Sequence, residues 1–114
     1  MENKIYKKYH FESSHVPYSV RKVEVLNIKN QLRFFIDDFD NTIDLSNQYL
    51  LRKNNEMEML FDFEKSIGYV KLLEVNSNLP FEIIEFDLKY ENEILHLDFK
   101  YVLDQEVYVS LSII

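Results

Sequence analysis

Over most of its length the chain sets an apolar side chain at every second position, and a period of two is the signature of strands with one buried face. The pattern is clearest from Pro80 onward, where Ile84, Phe86, Leu88 and Tyr90 fall on one face and Glu85, Asp87 and Lys89 on the other. A turn at Glu91-Asn92 leads into Leu95, Leu97, Phe99 and Tyr101, opposed by His96, Asp98 and Lys100, so the two runs predict a hairpin. After a second turn at Asp104-Gln105, Val107, Val109, Leu111 and Ile113 alternate with Tyr108, Ser110 and Ser112. Three consecutive antiparallel strands make a meander.

The same period runs backward through the chain. Met57, Met59, Phe61 and Phe63 share a face opposite Glu58, Asp62 and Glu64, and a turn at Lys65 to Gly68 precedes a strand from Tyr69 to Val75. A helix over 56–66 would scatter those four apolar side chains around its cylinder, so a strand is expected. Val23 to Ile28 and Leu32 to Ile36 flank Lys29-Asn30-Gln31 as another hairpin, and Thr42 to Leu45 and Gln48 to Lys53 flank Ser46-Asn47. Ile5 to Phe11 alternates Ile5, Tyr9 and Phe11 with Tyr6, Lys8 and His10, with Lys7 interrupting the apolar face. Nine or ten short strands predict an all-β domain over residues 1–114, either a sandwich or a closed up-and-down barrel.

Composition bounds the function. A chain of 114 residues supports one core, and nine Phe with eight Tyr set it apart from a disordered segment. The net charge of −7 disfavours nonspecific nucleic-acid binding, which depends on Lys and Arg neutralising phosphates. With no cysteine there is no disulfide framework, thiol nucleophile or thiolate metal site. No apolar run of signal-peptide or membrane-spanning length occurs, and a cytoplasmic protein without a membrane partner is expected.

Two segments carry a family resemblance. Leu51-Arg52-Lys53-Asn54-Asn55-Glu56-Met57-Glu58-Met59-Leu60-Phe61-Asp62-Phe63-Glu64-Lys65 resembles the middle of the YwiB-like, calycin-like β-barrel proteins of Gram-positive bacteria: a strand ending in Arg, a polar turn, then a strand rich in Met and Phe. Leu95 to Leu103 and Val107 to Ile114 resemble the last two strands of that family. The chain departs from it in Leu73 to Pro80, which replaces a Tyr-Thr-Pro-Tyr-Gly-like segment, and in a shorter N-terminus. The resemblance implies a small antiparallel barrel of eight to ten strands, related in shape to lipocalins, and it implies no activity or cofactor.

Candidate sites are few. His10-Phe-Glu-Ser-Ser-His15 concentrates two imidazoles, a carboxylate and two hydroxyls, and His10, Glu12 and His15 supply the number of ligands a zinc hydrolase needs. The spacing lacks the i, i+4 histidines or Cys pairs of strong zinc sequences, and no glycine-rich turn stands nearby to build an oxyanion hole. A surface strand end and turn is expected there. Asp37-Asp38-Phe-Asp40-Asn41-Thr42-Ile-Asp44 has the alternating acids of a calcium loop but lacks its sixth-position Gly and twelfth-position Glu, so a solvated acidic turn is expected.

Arg52 shares a strand face with Leu50, so if that face lines the barrel its guanidinium sits at one mouth and can hold a carboxylate or phosphate; an internal ion pair with one of the abundant acids, or snorkelling to the rim, is expected in preference. Arg33 and Tyr69 are the further candidates for that mouth, and the bulky inward residues predict a mostly filled interior with a small cavity near one end. Phe35, Tyr69 and Tyr108 lack the basic track of a single-strand-binding surface. The first expectation is a non-catalytic module that docks a protein partner, basic by charge complementarity, through a strand edge or aromatic patch. The alternatives are a carrier of a small apolar or anionic ligand, and a metal-dependent hydrolase centred on His10, Glu12 and His15.

Overall fold

The structure, a computed structural model, describes residues 3–114. Ten strands follow one another: β1 (Asn3–Ser13), β2 (Ser19–Ile28), β3 (Gln31–Ile36), β4 (Phe39–Asp44), β5 (Tyr49–Lys53), β6 (Met57–Asp62), β7 (Ile67–Leu72), β8 (Ser77–Glu91), β9 (Ile94–Leu103) and β10 (Gln105–Ile113). Each pairs antiparallel with its neighbours in sequence, and β1 pairs with β10, so the meander closes into an up-and-down barrel. The expected fold class is therefore the observed one, and closure decides between barrel and sandwich. Closure satisfies the outermost ladder groups of the meander, which would otherwise be open sheet edges.

The alternation becomes the barrel's inside and outside. Leu95, Leu97 and Phe99 of β9 and Val107, Val109, Leu111 and Ile113 of β10 are buried, as are Phe34 and Ile36 of β3 and Phe61 of β6. Met57 to Asp62 is a strand, as its pattern predicts, and Phe63, just beyond it, is fully buried against Phe86 and Phe99. Three expectations are corrected. β7 begins at Ile67 rather than after Gly68, and its turn falls at 73–76 within the expected strand. Ile84 is 49% exposed, because a register shift between Ile83 and Glu85 turns it out while Phe81 and Ile83 take the inward positions. Ile5 is exposed at the barrel's lower end.

The hairpins turn almost without glycine. Lys29-Asn30, Asp37-Asp38 and Asn92-Glu93 are two-residue connections with both residues at positive φ, the geometry that matches strand twist. Four-residue connections at 45–48, 63–66 and 73–76 each end on a positive-φ residue, Gln48, Ser66 and Asn76. Among the described residues six of the ten at positive φ are Asn or Asp, whose short polar side chains tolerate that region. The lone Gly68 has ordinary φ and serves packing instead. It is buried opposite Phe81, and a β-carbon there would overlap the Leu60 carbonyl oxygen and the Phe81 ring. Two opposite effects are expected in urea denaturation: Glu93→Gly relieves a strained turn and stabilises by about 0.5–1 kcal/mol, whereas Gly68→Ala overpacks the wall and costs about 1–3 kcal/mol or more.

Asp44, at 5% exposure, anchors the lower end. Burial opposes its ionisation, yet hydrogen bonds from the Asn47 N–H, the Gln31 and Asn47 side chains and the Ser46 N–H outweigh it and hold its carboxyl below the usual aspartate range. A carboxyl whose folded pKa is depressed contributes stability that is present above its unfolded value, about 3.9, and is lost as pH falls through the lower folded value. Asp44→Ala is expected to cost about 1–3 kcal/mol at neutral pH, with the deficit shrinking below about pH 4. Denaturation curves of both proteins across that range check it.

Candidate functional site

Strand direction defines two ends. The upper end carries the connections at 14–18, 37–38, 54–56, 73–76 and 104, and the lower end carries the others with Asn3 and Ile114. The lower end is plugged. Lys7 reaches across it to the Glu93 carbonyl, the Asn27 amide donates to the Tyr90 hydroxyl at 3.3 Å, and a void of only about 10 Å³ is left among Val25, Leu32 and Leu95.

The upper lumen differs. A chamber of about 40 Å³ lies between Tyr9 and Phe11 of β1, Asn41 of β4, Arg52 of β5, Met59 and Phe61 of β6 and Tyr101 of β9. The interior is thus mostly filled, with a small cavity near one end, as the inward side chains predict. Asn41, only 2% exposed, donates through Nδ2 to the carbonyls of Phe39 (3.1 Å) and Phe34 (3.4 Å), which orients its Oδ1 to accept from Arg52 Nε at 2.9 Å. The guanidinium carbon sits 4.5 Å from the centre of the Phe39 ring, a cation–π contact. Asn41 and Phe39 therefore fix the arginine's plane.

What the arginine lacks is an acid. Among the described residues no carboxylate pairs with Arg52; the ion pairs are Arg21–Asp37, Arg33–Asp40, Lys89–Asp87 and Lys100 with Glu85 and Glu106. Of the two alternatives weighed for Arg52, the internal ion pair does not form among those residues, which leaves snorkelling to the rim. Among the described residues only Nε is bonded to protein, and no fully buried side-chain polar atom is left without a partner, so the terminal nitrogens of this half-buried residue are not fully enclosed. The phenols beside it are held protonated. Burial pushes Tyr9 up to about 12, against the pull of Arg52, and burial likewise raises Tyr101 with Arg52 opposing. At neutral pH both remain O–H donors. The chamber thus presents one cation and two neutral donors within an apolar wall.

The other predicted mouth residues are elsewhere. Arg33 lies on the outer wall of β3 beside Asp40 (3.4 Å), since Leu32, Phe34 and Ile36 take the inward positions. Tyr69 lies on the outer wall of β7 between inward Gly68 and Val70 and donates to Glu58 at 2.7 Å; burial, then that carboxylate, raises its pKa to about 12. Neither reaches the chamber. Asn41 was hidden in the acidic run, although it shares a face with Ile43.

His10, Glu12 and His15 are not brought together. His10 and Glu12 point outward from β1, opposite Ser112 and Ser110 of β10, and His10 Nδ1 lies 2.6 Å from the Tyr18 hydroxyl. Ser13 Oγ accepts from the N–H groups of His15 and Val16, and Ser14 exchanges hydrogen bonds with Tyr108, so the two hydroxyls build the turn. Among the described residues no three His, Asp or Glu side chains gather as a metal set. The acidic run is likewise dispersed: Asp37 and Asp38 form a tight turn, Asp40 faces Arg33 and Asp44 is buried.

The outer surface is not uniformly acidic. Lys8 lies directly opposite Lys22 across β1 and β2, and Lys22 sits over the Tyr6 ring at 5.1 Å. Ser19 to Glu24 of β2 pair with β1, while pairing with β3 begins only at Val25, so that side of the strand is an open edge next to exposed Val20 and Phe35. No helix is long and apolar enough to cross a membrane. Compared with known proteins, the chain matches no family model, no curated protein and no solved structure.

Arg52→Met separates a functional from a structural arginine. Loss of the Nε–Asn41 bond costs about 1 kcal/mol, while removal of a partly desolvated, unneutralised charge offsets it, so stability by urea denaturation is expected to change by less than about 1 kcal/mol. A loss of about 3–5 kcal/mol, the size found when a buried charge pair is broken, would make the arginine a structural element.

Proposed function

We propose that this protein is a non-catalytic binding barrel whose upper chamber accepts a small anion on Arg52. The observation that carries this reading is a fixed, half-buried guanidinium with its terminal nitrogens unengaged by any described residue. A charge held partly out of water without a counter-ion costs stability, and an incoming anion supplies the missing partner through bidentate, charge-assisted hydrogen bonds. The protonated phenols of Tyr9 and Tyr101 add donors and no competing negative charge. A chamber of about 40 Å³ suits a head group that displaces two or three waters. Membership of the YwiB-like family is part of the same proposal and rests on the segments around Arg52 and β9.

A second reading, docking of a protein partner, is favoured by the open Ser19–Glu24 edge and by Phe35, which is 65% exposed beside it. An extended peptide can add to such an edge through main-chain hydrogen bonds. Closure confines this route to strand segments paired on one side only, of which Ser19–Glu24 is one. Its test is a stoichiometric partner whose recovery is lost in Phe35→Glu and retained in Arg52→Met.

The anion reading is tested by titrating acetate while following the Arg52 Nε–H and Tyr9 ring resonances by NMR. Saturable shifts in the millimolar range are expected for so small a ligand, about −4 kcal/mol at 1 mM. Arg52→Met should abolish them. Unsaturable shifts, or equal shifts in the variant, would remove the reading.

A further inference from the structure

The mouth above the chamber has two unlike sides. Toward β2 and β3 the rim holds the Arg21–Asp37 ion pair. Toward β6, β7, β8 and β9 the inward positions near the upper ends are Met57, Leu72, Leu79 and Leu103, with Ser77 of β8 opposite Leu72. Met57 pairs with Leu72 across β6 and β7, Leu79 with Val70 across β7 and β8, and Leu103 follows Tyr101 on β9. Met57, Leu72 and Leu103 are half-buried, and Leu79 is 47% exposed. One arc of the opening is therefore mostly apolar, Ser77 apart, and incompletely covered, and it lies above a cation set in an apolar pocket.

From this arrangement, and resting on the anion reading above, we infer that the ligand is an aliphatic monocarboxylate. Its head sits against Arg52, Tyr9 and Tyr101, and its alkyl chain leaves the chamber along Met57, Leu72, Leu79 and Leu103. Four observations select this class. A single guanidinium with two neutral donors balances one negative charge, whereas a phosphate dianion would bring an uncompensated second charge into an apolar enclosure. The flat carboxylate matches the fork of the two Arg52 terminal nitrogens left over by the Nε–Asn41 bond. The chamber's volume is too small for more than the head, so the rest of the molecule has to lie on the rim. That arc presents apolar side chains, which would leave the amides of a peptide carboxyl terminus without partners but cover a hydrocarbon chain well.

The experiment titrates acetate, butanoate, hexanoate and octanoate into the wild-type protein by NMR, with octanol, inorganic phosphate and a short leucine-ended peptide as comparators. Affinity is expected to rise along the acid series. A fully buried CH₂ gives about fourfold and one lying on an open rim about twofold, so octanoate should bind at least tenfold tighter than acetate. Octanol should bind at least tenfold more weakly than octanoate, and phosphate no better than acetate. Leu79→Asn, at an exposed position where folding is not at stake, should weaken octanoate while leaving acetate unchanged, and Arg52→Met should weaken every acid. Equal affinities for acetate and octanoate would overturn the inference and leave the anion site standing. Absence of Arg52-dependent binding by any acid would overturn both. Tighter binding of phosphate or of the peptide would overturn the inference in favour of that class.

Discussion

The structure depends on one seam. β1 and β10 lie at opposite ends of the sequence, and their pairing from Tyr9–Ile113 to Ser13–Val109 turns a ten-strand meander into a closed wall. Without it Tyr9, Phe11, Val109 and Leu111 would face water, and the chamber they help to line would be an open sheet face. The seam is bonded on a regular alternation. Lys8 and Ile114 exchange backbone hydrogen bonds and Ser14 donates to Tyr108, which sets His10–Ser112 and Glu12–Ser110 as the bonded pairs between them. The stretch from His10 to Ser14, the one that looks most like catalytic chemistry, is thus the strand that shuts the barrel and the turn that follows it.

Closure also decides which polar groups matter. In a continuous wall, outward charges such as Arg33, Glu58 and Lys100 meet water and one another, and exposed pairs of that kind contribute little. In the upper lumen a single cation dominates, because the surrounding aromatic and aliphatic side chains screen it poorly. Asn41 holds Arg52 in place without neutralising it. An orienting partner that carries no charge preserves the arginine's capacity to attract an anion, which an aspartate at the same place would quench.

The sequence reveals the strands because each has one buried face, and the failures occur where that rule is locally obscured. Phe34 and Phe35 are adjacent, so the apolar pattern of β3 can be read in either phase and Arg33 can be set inside or outside. Gly68 occupies an inward position without a side chain, and Tyr69 beside it looks like the apolar face when it is the outer one. The bulge at Ile84 inserts one residue into β8, and a chain with apolar residues at 83, 84 and 86 gives no local sign of where the phase changes. Arg52 was legible because Leu50 fixes its phase. Its partner Asn41 was not, because four aspartates within four residues of it make the segment look solvated. The seam itself has no local signature: it is a pairing across a hundred residues, and alternation alone allows sandwich and barrel equally.

The most direct test of the closed wall is backbone amide hydrogen exchange at the seam under native conditions. If the barrel is shut, the amides of His10, Glu12, Ser110 and Ser112 exchange as slowly as ladder amides of the β9–β10 hairpin, because opening them requires global unfolding. If those four exchange orders of magnitude faster while the hairpins stay protected, the strands form an open sheet, and the enclosure around Arg52 does not exist.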